Sequence, residues 1–294
     1  MSGPVEIFDR TAVRRHRDRA AGRIGEHDFL FQEVAGRLRE RLGDIKREFS
    51  RALDMGCVGA SPAARHVVRA DLSPAMVARS ARPGVAADEE WLPFAAHSFD
   101  LVTSLLTLHW VNDLPGALVQ IRRSLRPDGL FMAAMLGGET LTELRESLAR
   151  AESAVEGGVS PRLSPTVDLQ DMGALLQRAG FALPVVDLDH LTVTYPDAFA
   201  LMRDLRGMGE NNALIQRRKH FTRRATMMAA AEIYGERFAD ADGRLPASFQ
   251  IIWLTAWAPH ESQQQPLRPG SAKSRLADAL DTEEKPAGDK ARPE

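Results

Sequence analysis

At 294 residues, 44% hydrophobic and 27% charged, the chain is long enough for one large domain with additions or two small ones, and apolar enough for a sizeable core. A formal net charge of -2 gives no global pull towards nucleic acid or an anionic membrane, and one cysteine, Cys57, excludes an intrachain disulfide framework and fits a reducing compartment. No apolar run approaches the ~20 residues that span a bilayer.

The first predicted element carries Arg10, Arg14, Arg15, Arg17, Arg19 and Arg23, interrupted by Glu6, Asp9 and Asp18. Transit peptides are poor in acids, so the segment is expected to be a mature N-terminus. Its arginines read as a solvated helix face, with a basic arm touching a partner or a phosphate as the sharper alternative. From Asp28 to Leu42 the positions Leu30, Val34, Leu38 and Leu42 recur every four residues, which predicts an amphipathic helix ended by Gly43 and packed on the core.

The stretch Ala52-Leu53-Asp54-Met55-Gly56-Cys57-Val58-Gly59-Ala60, followed by Val67-Val68-Arg69-Ala70-Asp71, is the centre of the pattern. A short apolar run ends in an acid, turns through glycines, and a second apolar run ends in another acid. Nucleotide sites in doubly wound α/β sheets begin this way, with the acid after the second strand accepting from the ribose hydroxyls. The spacing falls short of G-x-G-x-x-G, so an ordinary strand-to-helix turn stands beside the ligand reading. Only residues 56 to 66 separate Met55 from Val67, eleven in all, so the intervening helix is expected to be barely two turns, with Pro62 limiting its start.

Further strands are expected at Val85–Ala87, Leu101–Leu106 and Leu130–Leu136, with a helix over Leu114–Leu125 stopped by Arg126-Pro127-Asp128-Gly129. Strands alternating with helices imply a parallel sheet. Leu141, Leu144, Leu148 and Ala151 predict another helix, and Asp171–Ala179 one more. Strand-like runs Val185–Tyr195 and Ser248–Ala258 flank a helical insertion over 197–240, and residues 261–294 have the composition of a disordered tail. The domain organisation expected is an N-terminal helical cap over 1–43, a main α/β domain over 44–260, and the tail.

Five fragments in order carry a resemblance: Asp54-Met55-Gly56-Cys57, Ala70-Asp71-Leu72-Ser73-Pro74-Ala75-Met76, Ala87-Asp88-Glu89-Glu90-Trp91-Leu92-Pro93-Phe94, Ser98-Phe99-Asp100-Leu101-Val102 and Leu125-Arg126-Pro127-Asp128-Gly129. Together they resemble the class I S-adenosylmethionine-dependent methyltransferases. Thr107-Leu108-His109-Trp110-Val111-Asn112-Asp113-Leu114-Pro115, Gly137-Gly138-Glu139-Thr140-Leu141 with Glu143-Leu144-Arg145, and Arg206-Gly207-Met208-Gly209-Glu210-Asn211 are similar to the methyltransferase-like assembly factors of respiratory complex I. The malonyl-acyl-carrier-protein O-methyltransferases look like more distant cousins.

The resemblance implies a Rossmann-like α/β fold with a mostly parallel seven-stranded sheet, helices on both faces and a helical insertion. It implies S-adenosylmethionine as cofactor, with Asp54, Gly56, Cys57 and Gly59 shaping the methionine loop, Asp71 on the ribose, Leu72 and Met76 near the adenine, Asp88 and Glu89 on its amino group, and Ser104 and Leu105 beside the sulfonium. His109 and Asp113 are the candidates for proton removal, and Trp110, Arg145, Arg206 and Asn211 for substrate contact; no metal is implied. Blander roles compete at each place. Asp71 suits a helix cap, Asp88-Glu89-Glu90 a solvated loop, Trp91 and Trp110 core or rim aromatics, His109 a structural histidine, and Arg217 to Arg224 a solvated helix face.

Three functions follow from the resemblance. The first is a methyltransferase-fold protein that modifies, or helps assemble, a complex I subunit; one family member is regarded as an arginine hydroxylase. The second is a carboxyl O-methyltransferase acting on a carrier protein, which needs a cation such as Arg145 or Arg206 for the acceptor carboxylate. The third is a non-catalytic assembly module with a degraded cofactor site, favoured by the short opening motif. Under the first, the location is cytoplasmic, with a peripheral position at the inner membrane supplied by a protein partner. Nucleic acid is not an expected partner.

Overall fold

The computed structural model describes residues 6–58, 62–81, 83–162, 169–264 and 281–282. Met1–His260 is one compact unit, and the residues from Glu261 onward are a separate one. Most of the expected disordered tail, and Gly59 with its neighbours 60 and 61, lie outside the described residues.

Helix α1 (Arg10–Ala20) is capped by Asp9, whose side chain accepts from the Ala12 amide, and α2 (Phe29–Gly43) follows. Strands β1 (Phe49–Met55), β2 (Ala64–Asp71), β3 (Gly84–Ala86), β4 (Phe99–Leu105), β5 (Leu125–Leu136), β6 (Ala182–Tyr195) and β7 (Leu245–Trp257) form one sheet in the order β3-β2-β1-β4-β5-β7-β6. The five N-terminal strands of the chain run parallel, and β7 is antiparallel to both of its neighbours. Every residue of β4 is buried, as a central strand covered on both faces requires. At the edge, β6 alternates exposed with half-buried residues along most of its length.

Two layers of side chains fill the space above and below the sheet. On one face Leu30, Phe31 and Val34 of α2 pack with Leu101, Leu130 and Trp253; on the other Leu53, Val102 and Phe131 pack with helices α4 (Leu114–Ser124) and α6 (Leu169–Arg178). Thus α2 covers a sheet face. Helix α5 (Thr142–Glu156) falls on the predicted periodicity, whereas the 197–240 insertion divides into α7 (Ala198–Met208) and α8 (Arg224–Phe238). The arginines from 217 to 223 therefore are not a helix face. Arg217 pairs with Asp9 and Arg218 with Glu156, anchoring the non-helical stretch to its neighbours.

The connection from β1 to β2 departs from expectation. Phe49 pairs with Ala64 and Met55 with Ala70, so the chain must return roughly 20 Å along the sheet between Met55 and Ala64. Eight residues, 56–63, make that return. Fully extended they reach about 26 to 29 Å, but two helical turns would advance only about 10 Å and leave the gap unspanned. No helix is described there. The described residues of the connection, 56–58 and 62–63, are not helical, in contrast to the two-turn helix expected from the sequence, and the next described helix, α3 (Pro74–Arg79), follows β2 and is capped by the Ser73 side chain on the Met76 amide.

Candidate functional site

The carboxyl ends of β1, β2 and β4 meet under α1, where ligands bind in open α/β sheets. Gly56 has φ +114°, and a Cβ there would lie 2.7 Å from the Leu105 carbonyl oxygen, so only glycine lets the β1 turn press against the end of β4. Asp54 sits just before it and accepts from Thr103 Oγ1 at 3.0 Å. Burial raises its carboxyl to a pKa of about 6, against the pull of Thr103 and Arg69. Burial, together with the neighbouring Asp71 charge, pushes the Cys57 thiol up to about 12, so it is an inert thiol at neutral pH.

Asp71 is fully buried, and its carboxylate is occupied. Arg17 of α1 donates Nε to Oδ1 at 3.1 Å and Nη2 to Oδ2 at 2.5 Å, while the Ser73 amide donates to Oδ1 at 2.8 Å. The same Nη2 reaches the Gly56 carbonyl at 2.8 Å. Burial pulls the Arg17 guanidinium down, but Asp71, with Glu210 and Glu89 further off, outweighs it and leaves the pKa raised. Its Nη1 is buried without a partner among the described residues. Two turns earlier, Arg10 donates to Asp88 Oδ1 at 2.6 Å, to Glu89, and to the Trp110 carbonyl at 3.0 Å. Burial raises the Glu89 carboxyl and Arg10 opposes it. The acids 88–90 are therefore not a solvated loop, and Arg10 and Arg17 are not a solvated helix face.

A second region opens beyond β4 and β5. Leu106, at φ +51°, turns the chain into a single helical turn, Leu108–Trp110, below which Ser104 Oγ and Thr107 Oγ1 lie 2.9 Å apart. That turn places His109 Nε2 3.1 Å from Glu210 Oε2 and lets Trp110 Nε1 donate to the same oxygen at 2.9 Å. Glu210 reaches this point because α7 ends at Gly209, φ +84°, where an added Cβ would lie 3.4 Å from Ala20 Cβ and Arg17 Cα of α1. Glu210 Oε1 is buried and unpartnered among the described residues, as is His109 Nδ1. A pocket in front of them is lined by His109, Trp110, Leu136, Arg145, Met208 and Glu210, among others. The described bond of the Arg145 guanidinium is a long one, 3.5 Å to the Thr140 carbonyl.

Residues 53–133 match the model of the methyltransferase domain family. The chain is 45% identical over 289 residues to the arginine-hydroxylase NDUFAF5, mitochondrial, of Danio rerio, covering 93% of this chain and 89% of that protein. The chain belongs to the NDUFAF5 family. The human member is also 45% identical, with 91% of this chain and 81% of that one covered. The malonyl-[acyl-carrier protein] O-methyltransferase of Methylovorus sp. is 36% identical over 88% of this chain and 92% of its own length. Among solved structures, YcgJ of Bacillus subtilis superimposes with a TM-score of 0.51 at 16% identity, covering 76% of this chain and 99% of that one. Phosphoethanolamine N-methyltransferase 2 of Haemonchus contortus, in complex with S-adenosylhomocysteine, gives 0.51 at 18%, covering 84% and 60%. The NDUFAF5-family chain therefore has the class I methyltransferase fold.

That fold implies S-adenosylmethionine at the carboxyl ends of β1, β2 and β3. Asp71, Asp88 and Glu89 stand at the expected strand ends, but each already holds an arginine of α1. The described residues that follow Gly56, 57–58 and 62–63, are not helical. With α1 in this position, its arginines take the acids that a ribose and an adenine would need.

The remaining candidates divide. Ser104 and Leu105 lie buried at the end of β4, and Met76 is wholly buried in the core, while Leu72 packs against the cluster of Phe8, Val13 and Trp110. His109, Trp110 and Arg145 come together in the pocket; Arg206 and Asn211 do not line it, and Asn212 does. Asp113 is the cap of α4, accepting from the Gly116 amide at 2.9 Å, and does not line the pocket that holds His109. Glu210, Arg17 and Arg10 are site residues that the sequence reading did not single out. Glu210 stands inside the Arg-Gly-Met-Gly-Glu-Asn motif, but only the turn of α7 decides that it, rather than Asn211, points inward. Among the described residues no group of three His, Cys, Asp or Glu side chains is arranged to hold a metal.

Proposed function

We propose that this chain is a methyltransferase-like assembly factor that engages a subunit of respiratory complex I, receiving a cationic side chain of that partner in the pocket beside His109. The observation that carries the reading is Glu210: a buried carboxylate with one oxygen free, next to the Trp110 indole, suits a guanidinium that can bond in the plane and stack on the ring. The name of the Danio rerio relative, an arginine hydroxylase, agrees with that ligand chemistry. S-adenosylmethionine is the cofactor the fold class brings with it. Among the described residues no helix is long and apolar enough to cross a membrane, so on this reading the partner supplies any membrane association.

Carboxyl O-methylation of a carrier protein is the second reading, and Arg145 favours it, since it brings a guanidinium into the same pocket for an acceptor carboxylate. The two separate in a host lacking this chain. NADH–quinone activity of its membranes should fall and be restored by wild type and by Arg145→Ala, but not by Glu210→Gln. Full complex I activity in the deletion host would overturn the first reading; loss of malonyl-carrier methylation in its extract would establish the second.

A further inference from the structure

The nucleoside half of the site is already complete without a nucleoside. A ribose presents two vicinal O–H donors to the acid at the end of β2, and a guanidinium edge presents two N–H donors in the same forked way. Arg17 makes that pair of bonds to Asp71 in a fully buried setting. An adenine amino group presents a further donor to the acids after β3, and Arg10 supplies one to Asp88 and Glu89. The two arginines are seven residues apart on α1, two helical turns, and so lie on one face.

Helix α1 is held in this position by contacts that do not involve those two arginines. Asp18 accepts from the Ser73 hydroxyl at 2.5 Å, Asp9 pairs with Arg217 at 2.9 Å, and the Asn112 side chain accepts from the Ile7 and Phe8 amides. Arg17 also bonds to the Gly56 carbonyl, so its side chain lies over the β1 turn where the rest of a nucleoside cofactor would continue.

We propose that α1 is a built-in occupant of the nucleoside site: Arg17 and Arg10 take the ribose and adenine acids, and a nucleoside binds only when α1 lifts away. Apparent affinity is then the intrinsic affinity scaled by the fraction of molecules with α1 open. This inference is independent of which acceptor the pocket beside Glu210 receives.

The test is calorimetric titration of the full chain with S-adenosylhomocysteine as probe, comparing wild type with Arg17→Ala, alongside hydrogen exchange over residues 10–20. Binding tightened at least tenfold in Arg17→Ala, with exchange of α1 in wild type rising on addition of probe, is the expected result. Removing Arg17 leaves Asp71 buried and unpaired, so the folded state of that variant is checked by circular dichroism. If it does not fold, Arg10→Gln, at the more accessible pair, is read instead and should also tighten binding. Wild-type binding that is unchanged or weakened by both substitutions, with α1 protection unchanged or increased, overturns the proposal. So does failure of every folded variant to bind the probe, because no competent site would then lie behind the helix.

Discussion

Replacing Asp54 by Asn should stabilise the protein at neutral pH and do so less as the pH falls. The Asp54 carboxyl is pushed from 3.8 to about 6 by burial, so the folded state holds its proton more tightly than the unfolded state does. A raised folded pKa contributes stability that is fully present below the unfolded value and lost as the pH rises through the folded one. At about 1.36 kcal/mol per unit, the wild type forfeits close to 3 kcal/mol at its limit, most of it between pH 4 and 8. Asn keeps the shape and still accepts from Thr103 without carrying a buried charge. Urea unfolding of both proteins at half-unit intervals across that window isolates the effect, since every other group cancels in the difference. The Asn variant should gain roughly 2 kcal/mol relative to wild type between pH 4 and pH 8. A difference flat to within about 0.5 kcal/mol, or one with the opposite slope, refutes the reasoning that burial dominates at this carboxylate.

Asp113→Ala should cost about 1 kcal/mol through loss of the α4 cap and leave complex I activity in the complemented host intact, because Asp113 caps the amide of Gly116 and lies apart from the pocket. A loss of activity without loss of stability would restore it as a functional group. Gly56→Ala should destabilise by at least about 2 kcal/mol, combining a strained φ with a Cβ 2.7 Å from the Leu105 carbonyl, as read by thermal melting. Trp253→Ala should cost roughly 3 to 5 kcal/mol in urea, since Trp253 is buried, lies under the Arg41 guanidinium at 4.6 Å and donates to Asp189 at 2.8 Å. A cost below about 1 kcal/mol would mean that the α2 face of the sheet repacks.

Much of the architecture was legible because it rests on local regularities. Continuous apolar runs marked the buried parallel strands, four-residue spacing marked α2, and the breaker Arg126-Pro127-Asp128-Gly129 marked the end of α4; the cap of α3 is Ser73, not the Asp71 that the sequence offered. The count of residues between Met55 and Val67 already signalled a stunted crossover. Only the register of Phe49 on Ala64 leaves too little chain for two helical turns, because pairing fixes the distance that the chain must return. The strands themselves extended beyond their apolar centres, into Phe49–Arg51 and Ala64–His66, since backbone pairing continues past the side chains that announce it.

The site was legible in its acids and illegible in their partners. Asp54, Asp71, Asp88 and Glu89 announce themselves by standing at the ends of apolar runs, which is a local pattern. That Arg17 lies 54 residues from Asp71 in the chain and yet fills it, that Arg10 does the same for Asp88, and that Glu210 rather than Asn211 meets His109 and Trp110, are long-range facts. A stripe of arginines on a helix reads the same from sequence whether it faces water or a buried carboxylate. The sequence by itself determined the sheet, its acids and its family; the packing of α1 and the turn at Gly209 decided which charges are free, because pairing of buried groups depends on three-dimensional proximity that residue order does not encode.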